Sequence, residues 1–219
     1  ICLCYNHAEF VEEALNSVIN QSYKNIELII ADDYSTDNSK QVIEHWLKNH
    51  PEVPFIANER NLGNTKTFNK ALKVAKGSYI IDLAADDLLM PNAVAQQIEA
   101  FEKSSFDNLG VVYGNAELIS NDKKHLSYFF PVDEFKKRIK PQPTGDIYIG
   151  LLNGNNNVCS IASMVKKDVF DVLNGYDESL AYEDYDVWIR ASRNYTFDYT
   201  DEIIIQKRVL ETSLYTLLY

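Results

Sequence analysis

The sequence predicts an α/β fold: a single Rossmann-like domain with a mostly parallel central sheet flanked by helices and a smaller, mixed second half. Three observations carry this prediction. Strand-like apolar runs alternate with amphipathic helical stripes through the first hundred residues, an order typical of parallel sheets with right-handed crossovers. The second hundred residues alternate less regularly. No linker or internal repeat separates the two parts of the 219-residue chain.

The first part contains predicted strands at residues 1–4, 26–31, 53–57 and 79–83. Helices are expected between and after them, at 9–21, about 37–48, 65–76 and from Pro91 onward. The run 26–31 is apolar almost throughout, as a parallel strand with both faces buried requires. Gly77 suits the position after a helix end, and Pro91 suits a first helical turn.

The second part is predicted to be mixed. Its strands are expected at 111–114, 116–119 and 161–165, with two edge strands at 196–199 and 203–207, and its helices at 146–152, 167–173 and 185–193. Residues 129–144 form a predicted long loop with a basic cluster, which consists of Lys136, Lys137, Arg138 and Lys140. We expect a solvated loop, with contact to an anionic acceptor or a membrane surface as the alternative.

The charge balance limits the partners of the chain. Asp and Glu number 32 against 21 Lys and Arg, which gives a net charge of −11. Such acidity repels phosphate backbones, so we expect no nucleic-acid partner. No run of 18 or more apolar residues is present. The three cysteines form no even framework, which fits a reducing compartment.

Both ends of the sequence fall within apolar runs, at residues 1–4 and 214–219. We therefore expect a chain that is clipped at both ends. Residues 209–219 would be the start of a truncated C-terminal extension.

Two Asp-Asp pairs follow predicted strands. Asp32 and Asp33 close the second strand, and Asp86 and Asp87 lie just past the fourth. Both pairs should therefore lie at the carboxyl edge of the sheet, where parallel sheets bind ligands. Paired carboxylates there can hold Mg²⁺ or Mn²⁺ against a substrate diphosphate. Turn or cap chemistry is the alternative for the first pair, since Ser35 and the residues after it are suited to begin a helix.

A third acidic pair, Glu183 and Asp184, precedes the predicted helix that begins at Tyr185. An acidic cap favoured by the helix dipole is one interpretation. A carboxylate that acts as general base is the other. The residues alone leave both interpretations open.

Six segments, in order, resemble the family 2 glycosyltransferases, which have the GT-A fold. They cover residues 3–6, 12–23, 30–37, 60–64, 76–80 and 84–87. The third segment is similar to the family's hydrophobic-Asp-Asp-Gly-Ser-Thr-Asp motif, and the last stands in the place of its Asp-x-Asp metal site. The similarity extends over nearly the whole chain.

The resemblance implies a donor site in the first half of the chain, about 1–105. The implied nucleotide-sugar-binding residues are Leu3, Tyr5, Asp33, Asn61 and Asp86. Asp33 would hydrogen-bond the nucleotide base in a pocket lined by Leu3 and Tyr5, and Asp86 would contact the ribose or sugar side. The donor would be a UDP-, GDP- or dTDP-linked sugar.

The same resemblance implies the course of the transfer. Asp87 would ligate a divalent cation, Mn²⁺ or Mg²⁺, on the donor diphosphate. In the acceptor-binding half, about 106–208, Asp184 would deprotonate an acceptor hydroxyl. That hydroxyl would attack the anomeric carbon opposite the diphosphate, with inversion. Residues 1–219 would thus form one catalytic domain.

The implied process is bacterial cell-surface polysaccharide or glycolipid synthesis, with a saccharide or lipid-linked acceptor. We expect a cytoplasmic protein at the inner face of the cell membrane, held there by peripheral association. A degenerate module that binds sugar nucleotides without transferring the sugar is the alternative, and the intact Asp87 and Asp184 argue against it. A phosphoacceptor receiver domain would need its acidic pair after the first strand, and a glycoside hydrolase would leave Asp33 without a role.

Three positions depart from the family pattern. Ala84 replaces the first Asp of the metal motif, Tyr34 replaces the Gly after the first Asp-Asp pair, and Leu210 stands where a family His can approach the metal. We expect Tyr34 to reshape the base pocket.

Overall fold

Two β-sheets form the framework of the computed structural model, which describes residues 1–155, 157–180 and 183–210. The parallel sheet contains β1 (Cys2–Cys4), β2 (Ile30–Asp32), β3 (Phe55–Ala57) and β5 (Leu83–Ala84), in the order β3-β2-β1-β5. The mixed sheet contains β4 (Tyr79–Ile80), β6 (Leu88–Leu89), β7 (Leu109–Ile119), β9 (Ser163–Lys166) and β10 (Thr196–Arg208), in the order β4-β9-β7-β10-β6. A further strand, β8 (His125–Tyr128), pairs with β7.

Helices cover both sheets. They are α1 (Val11–Ile19), α2 (Ser39–Trp46), α3 (Asn64–Leu72), α4 (Ala93–Lys103), α5 (Tyr148–Leu152), α6 (Lys167–Leu173) and α7 (Glu183–Ala191). Helices α1 and α3 contact the parallel sheet, whereas α4 packs on β7 and β10 of the mixed sheet. The predicted alternation of strands and helices in the first half is therefore confirmed, with elements shorter than the sequence pattern indicated.

The register of the parallel sheet brings three loops to one edge. Cys4 lies opposite Asp32 on β2, and Leu3 lies opposite Ala84 on β5. Because all three strands run in the same direction, the loops that follow β1, β2 and β5 meet at the carboxyl edge. Asp32 is the last residue of β2, and Asp33, Asp86 and Asp87 belong to the loops.

The predicted strand 79–83 is wrong, because the chain changes sheets within it. Tyr79 and Ile80 form β4 and pair antiparallel with β9, whereas Leu83 and Ala84 form β5 and pair parallel with β1. Apolar residues flank the crossing on both sides, so the sequence pattern carries no sign of the change. The segment thereby joins the two sheets.

Two further predictions about the second half are wrong. The strands expected at 111–114 and 116–119 are one strand, β7, within which the side chain of Asn115 is bound to both backbone polar groups of Phe130. The two expected edge strands are also one strand, β10, which lies between β7 and β6. Register shifts between Tyr199 and Ile205 let this strand continue through residues that look like a turn in the sequence.

The three cysteines lie in the interior of the fold. Cys2, Cys4 and Cys159 are free thiols and all three are buried. Within the described ranges, no helix is long and apolar enough to cross a bilayer.

Candidate active site

The loops after β1 and β2 are joined by hydrogen bonds at the carboxyl edge of the parallel sheet. The Asn6 side-chain oxygen accepts the backbone N–H groups of Thr36, at 2.7 Å, and of Asp37, at 3.3 Å. The Asp37 carboxylate in turn accepts the N–H of Ala8 at 3.0 Å. These reciprocal contacts fix the two loops relative to each other.

The two residues predicted to line the base pocket differ in exposure. Tyr5 follows β1 in this loop network and is 44% exposed. Leu3 lies inside β1, is 8% exposed and belongs to the hydrophobic core. Tyr5 is therefore accessible to a ligand at the sheet edge, whereas the Leu3 side chain packs mainly within the core.

Asp32 holds the turn after β2. Its carboxylate accepts the backbone N–H of Ser35 at 3.1 Å and also the Ser35 hydroxyl. This is the turn chemistry that was the alternative for the first pair. Between these residues Tyr34 adopts φ 64°, the left-handed conformation that glycine takes without strain, and it remains half exposed.

Asp33 is buried and anchors the loop after β3. Its Oδ1 accepts the Asn58 side-chain amide at 2.9 Å and the Leu62 N–H at 2.8 Å, and its Oδ2 accepts the Gly63 N–H at 2.8 Å. Asn61 lies in this loop, is exposed and accepts the same Gly63 N–H at 3.1 Å. Because a carboxylate has about four acceptor positions, Asp33 has room for one further donor on Oδ2.

The second Asp-Asp pair meets the end of β10. The antiparallel pairing of Leu88 with Gln206 continues, so that Asp87 lies beside Lys207 and Arg208. Asp87 is 1% exposed, and its Oδ1 accepts the backbone N–H of Arg208 at 2.9 Å. Its Oδ2 is buried and has no hydrogen-bond partner within the described residues; we refer to it as the unpaired oxygen.

The environment of Asp87 disfavours its charged form. Burial raises the pKa of Asp87 to about 7; the charge of Asp86 acts in the same direction, and Lys207 acts against it. The Lys207 Nζ lies 4.0 Å from the unpaired oxygen. This contact was not predicted, because β6, which pairs with β10, was not expected.

Arg208 is a buried cation that binds the backbone of the second Asp-Asp pair. Its guanidinium donates to the Asp86 backbone carbonyl at 2.7 Å and to the carboxylate of Glu13 on α1, and it lies over the Phe10 ring at 4.6 Å. These contacts tie β10, the Asp86 backbone and α1 together. Arg208 was not identified from the sequence either.

The side chains of His7 and Asp86 lie close together beside Asp87 at the carboxyl edge of the parallel sheet. The His7 Nδ1 lies 3.7 Å from Asp86 Oδ1 and, like the unpaired oxygen, is buried without a hydrogen-bond partner in the part of the chain that is described. No group of three or more His, Cys, Asp or Glu side chains suited to a metal ion occurs there. A cation at Asp86 and Asp87 would thus need oxygens of a bound ligand or water to complete its shell.

The third acidic pair belongs to the first turn of α7, which begins two residues earlier than predicted. Glu183 accepts the side-chain amide of Asn64, the first residue of α3, at 2.7 Å. Burial raises the pKa of Glu183. Asp184 accepts the N–H of Tyr185 at 2.8 Å, and the Tyr185 hydroxyl donates to the Leu151 carbonyl. The start of α7 is thereby attached to α3 and α5.

The loop that leads to α7 is held against α3. Asn69 accepts the Tyr176 N–H at 3.0 Å and donates to its carbonyl at 2.9 Å. Gly175 has φ +75°, and a Cβ on it would lie 2.2 Å from the Asn69 side-chain oxygen. The Tyr176 hydroxyl donates to Asp82 at 3.2 Å. Burial raises the pKa of Asp82 to about 7, and the charges of Glu183 and Asp184 add to the effect.

The sequence model described as Glycosyl transferase family 2 matches residues 1–173. The chain belongs to this family. An uncharacterized glycosyltransferase of Rickettsia typhi is 32% identical over 207 residues, which are 94% of this chain and 61% of that relative. Chondroitin synthase of Escherichia coli is 26% identical over 202 residues, 91% of this chain and 27% of the synthase. The resemblance stated from the motifs is confirmed.

Solved structures show the fold of this family 2 domain. TarS of S. aureus in complex with UDP-GlcNAc has a TM-score of 0.71 at 19% identity, covering 97% of this chain and 58% of TarS. A mannosyltransferase from Pyrobaculum calidifontis in complex with GDP-Man and Mn²⁺ has a TM-score of 0.68 at 17% identity, covering 99% of this chain and 58% of that enzyme. The predicted GT-A fold is confirmed.

A cavity of about 450 Å³ in this family 2 domain lies away from the acidic pairs. It is lined by Val18, by residues 26–29 before β2 and by residues 75–81 around β4. These residues lie at the amino edge of the parallel sheet, opposite the loops that carry the acidic pairs. The candidate site is the carboxyl edge, not this cavity.

The C-terminal extension expected at residues 209–219 lies mostly outside the described ranges, since residues 211–219 are not among them. The described part of that segment ends at Leu210, which is buried.

Proposed function

We propose that this family 2 domain transfers a sugar, with inversion, from a nucleotide-diphosphate sugar to an acceptor hydroxyl in polysaccharide or glycolipid synthesis. The observation that carries the proposal is the unpaired oxygen of Asp87, at the carboxyl edge of the parallel sheet. A buried carboxylate oxygen without a partner is costly unless a cation meets it. A divalent cation on a donor diphosphate would be such a partner.

The corner that contains Asp33 would receive the nucleotide base. The free acceptor position of its Oδ2 could take one N–H from a base, and Tyr5 presents an exposed ring beside it. Asn61, Leu3 and Asp86 complete the proposed donor contacts. Support for this donor class comes from TarS and the Pyrobaculum mannosyltransferase, which are described with UDP-GlcNAc and with GDP-Man.

Asp87 would hold Mn²⁺ or Mg²⁺, beside the donor contact made by Asp86. Its hard oxygen atoms suit either ion. The bound ion would neutralise charge that develops on the leaving diphosphate. The Mn²⁺ in the Pyrobaculum mannosyltransferase complex supports this assignment by analogy.

Asp184 would be the general base. The acceptor hydroxyl would give its proton to the Asp184 carboxylate as its oxygen bonds to the anomeric carbon and the nucleotide diphosphate leaves from the opposite side. Asp184 lies in the first turn of α7, where one of its carboxylate oxygens accepts the Tyr185 N–H at 2.8 Å. Glu183, bound to Asn64, would position this turn relative to the donor half.

We further propose a cytoplasmic location at the inner face of the cell membrane, with a saccharide or lipid-linked acceptor. The basic cluster carries the membrane contact in this proposal, together with Phe135, which is 74% exposed. Lys137 is already paired with Glu202 at 2.8 Å. Co-sedimentation with anionic vesicles tests the contact, and the Phe135→Ser variant should reduce it.

Calorimetric titration with UDP and GDP tests the donor site. Binding should be tighter with Mn²⁺ than with chelator, and the Asp87→Ala variant should lose this difference, since it lacks the proposed ligand. Asp122→Ala is the matched control, because this carboxylate is exposed and paired with Lys124. Nucleotide binding that is indifferent to the metal in the unmodified protein would contradict the metal assignment.

The Asp184→Asn variant tests the base. It should lower sugar transfer by about 10³-fold and leave nucleotide binding unchanged, because the amide cannot accept the proton. Loss of binding together with transfer would indicate a structural role in the first turn of α7. Donor binding without transfer by the unmodified protein would instead support the degenerate module.

A further inference from the structure

Lys207 faces the unpaired oxygen of Asp87 without forming a hydrogen bond to it. The separation of Nζ and Oδ2 is 4.0 Å. The lysine side chain is 27% exposed, whereas that of Asp87 is 1% exposed. The lysine side chain therefore reaches the solvent, whereas the carboxylate that it faces does not.

The neighbouring Arg208 cannot take the same role. Its guanidinium is buried, and its two terminal nitrogens are already bound to the Asp86 carbonyl and the Glu13 carboxylate. Its positive charge is thus balanced by Glu13. Lys207 is the partly exposed cation of this pair.

The backbone of Lys207 is held by two strands. It lies opposite Leu118 on β7, and the β6–β10 pairing is formed by the two residues immediately before it. Only the flexible side chain is left to move. The lysine side chain has a flexible four-carbon stem, so its ammonium can move from one anion to another while the strand pairing stays the same.

We propose that Lys207 is a built-in cation of the donor site, which neutralises Asp87 in the free protein and binds a diphosphate oxygen when the donor enters. This inference rests on the proposed function. It has two consequences. Donor binding retains a component that needs no divalent ion, and the lysine competes with the ion for Asp87. Leu210, two residues beyond β10, has no side-chain atom that could ligate the ion.

Calorimetry with UDP in chelator tests the first consequence in the unmodified chain and in the Lys207→Gln and Lys207→Arg variants. Lys207→Gln should weaken metal-free binding at least about 10-fold, whereas Lys207→Arg should stay within about 3-fold, because the charge is kept. With saturating Mn²⁺ the loss in Lys207→Gln should be about 3-fold or less. Lys137→Gln is the control, since Lys137 is also paired with an acidic residue of β10.

Paramagnetic resonance titration of Mn²⁺ without nucleotide tests the second consequence, at about pH 8.5 to keep Asp87 ionised. Lys207→Gln should bind Mn²⁺ more tightly than the unmodified chain, by about 3-fold or more, since the competing cation is gone. Thermal unfolding checks that each variant is folded, and Lys207→Arg remains informative if Lys207→Gln is not.

The outcomes separate this inference from the proposed function. If the unmodified chain binds UDP only with Mn²⁺, or if Lys207→Gln matches it in chelator, Lys207 is not the proposed cation, although the donor site stands. If neither UDP nor GDP binds with or without Mn²⁺, both proposals fail. Unchanged Mn²⁺ affinity in Lys207→Gln would show that Lys207 does not compete with the ion for Asp87.

Discussion

The corners formed by the two Asp-Asp pairs have the same dipeptide and the same place at the sheet edge, yet their carboxylates are bound differently. Asp33 accepts three N–H donors, which come from the Asn58 side chain and the backbone of Leu62 and Gly63. Asp87 accepts one, from the backbone of Arg208. The first carboxylate is nearly saturated by the protein, and the second is left with its unpaired oxygen.

This difference separates a structural carboxylate from one that is available to a cation. Asp33 organises a loop and has one acceptor position left for a ligand. Burial disfavours the charged form of Asp87 by raising its pKa. The carboxylate faces the Lys207 ammonium, which does not come within hydrogen-bond distance. Three variants test this difference between the two carboxylates through the stability of the protein.

The Asp33→Ala variant should have the largest effect on stability. It leaves three N–H donors without their acceptor, so the free energy of unfolding should fall by about 3 kcal/mol. Urea denaturation measures this loss. Asp87→Ala is the comparison, since it removes one hydrogen bond and a poorly solvated charge. If Asp87→Ala costs as much stability as Asp33→Ala, the two corners are not different in the way described.

The Asp87→Asn variant should change how stability depends on pH. The folded pKa of Asp87 is raised to about 7, so its contribution to stability is greatest below the unfolded pKa of about 4 and is lost as the pH rises to about 7. Asparagine does not titrate and can still accept the Arg208 N–H. Between these pH values, the variant should gain on the order of 3 kcal/mol relative to the unmodified chain.

Urea denaturation at both pH values measures this difference, and Asp122→Asn serves as an exposed control. A constant difference between Asp87→Asn and the unmodified chain across the range would contradict the raised pKa.

The Tyr34→Gly variant should have the smallest effect, and it should stabilise the protein. Tyr34 has φ 64°, which costs a residue with a Cβ about 1 kcal/mol relative to glycine. The midpoint temperature of thermal unfolding should therefore rise slightly in Tyr34→Gly. Tyr34→Ala is the control, because it removes the ring and keeps the strain. Equal stability of the two variants would show that the ring, not the backbone, sets the difference.

Much of the candidate site could be predicted from the sequence, because its acidic residues follow strands that the apolar pattern reveals. Asp33 receives its donors from residues 25 to 30 positions away, within the same βαβ succession. Asp87 receives its donor from a residue 121 positions away, on a strand predicted to lie at an edge. Lys207 and Arg208 were therefore missed as site residues.

The amino-acid pattern alone predicts the parallel half of the fold, the family and the position of the acidic pairs. These follow from local periodicity and motif order, which need no knowledge of distant pairing. Three features depend on the packed chain: residues 79–84 cross between the sheets, β10 lies inside the mixed sheet, and Lys207 faces Asp87. Apolar runs of equal character can pair with several partners, and the choice depends on contacts between residues far apart in the chain.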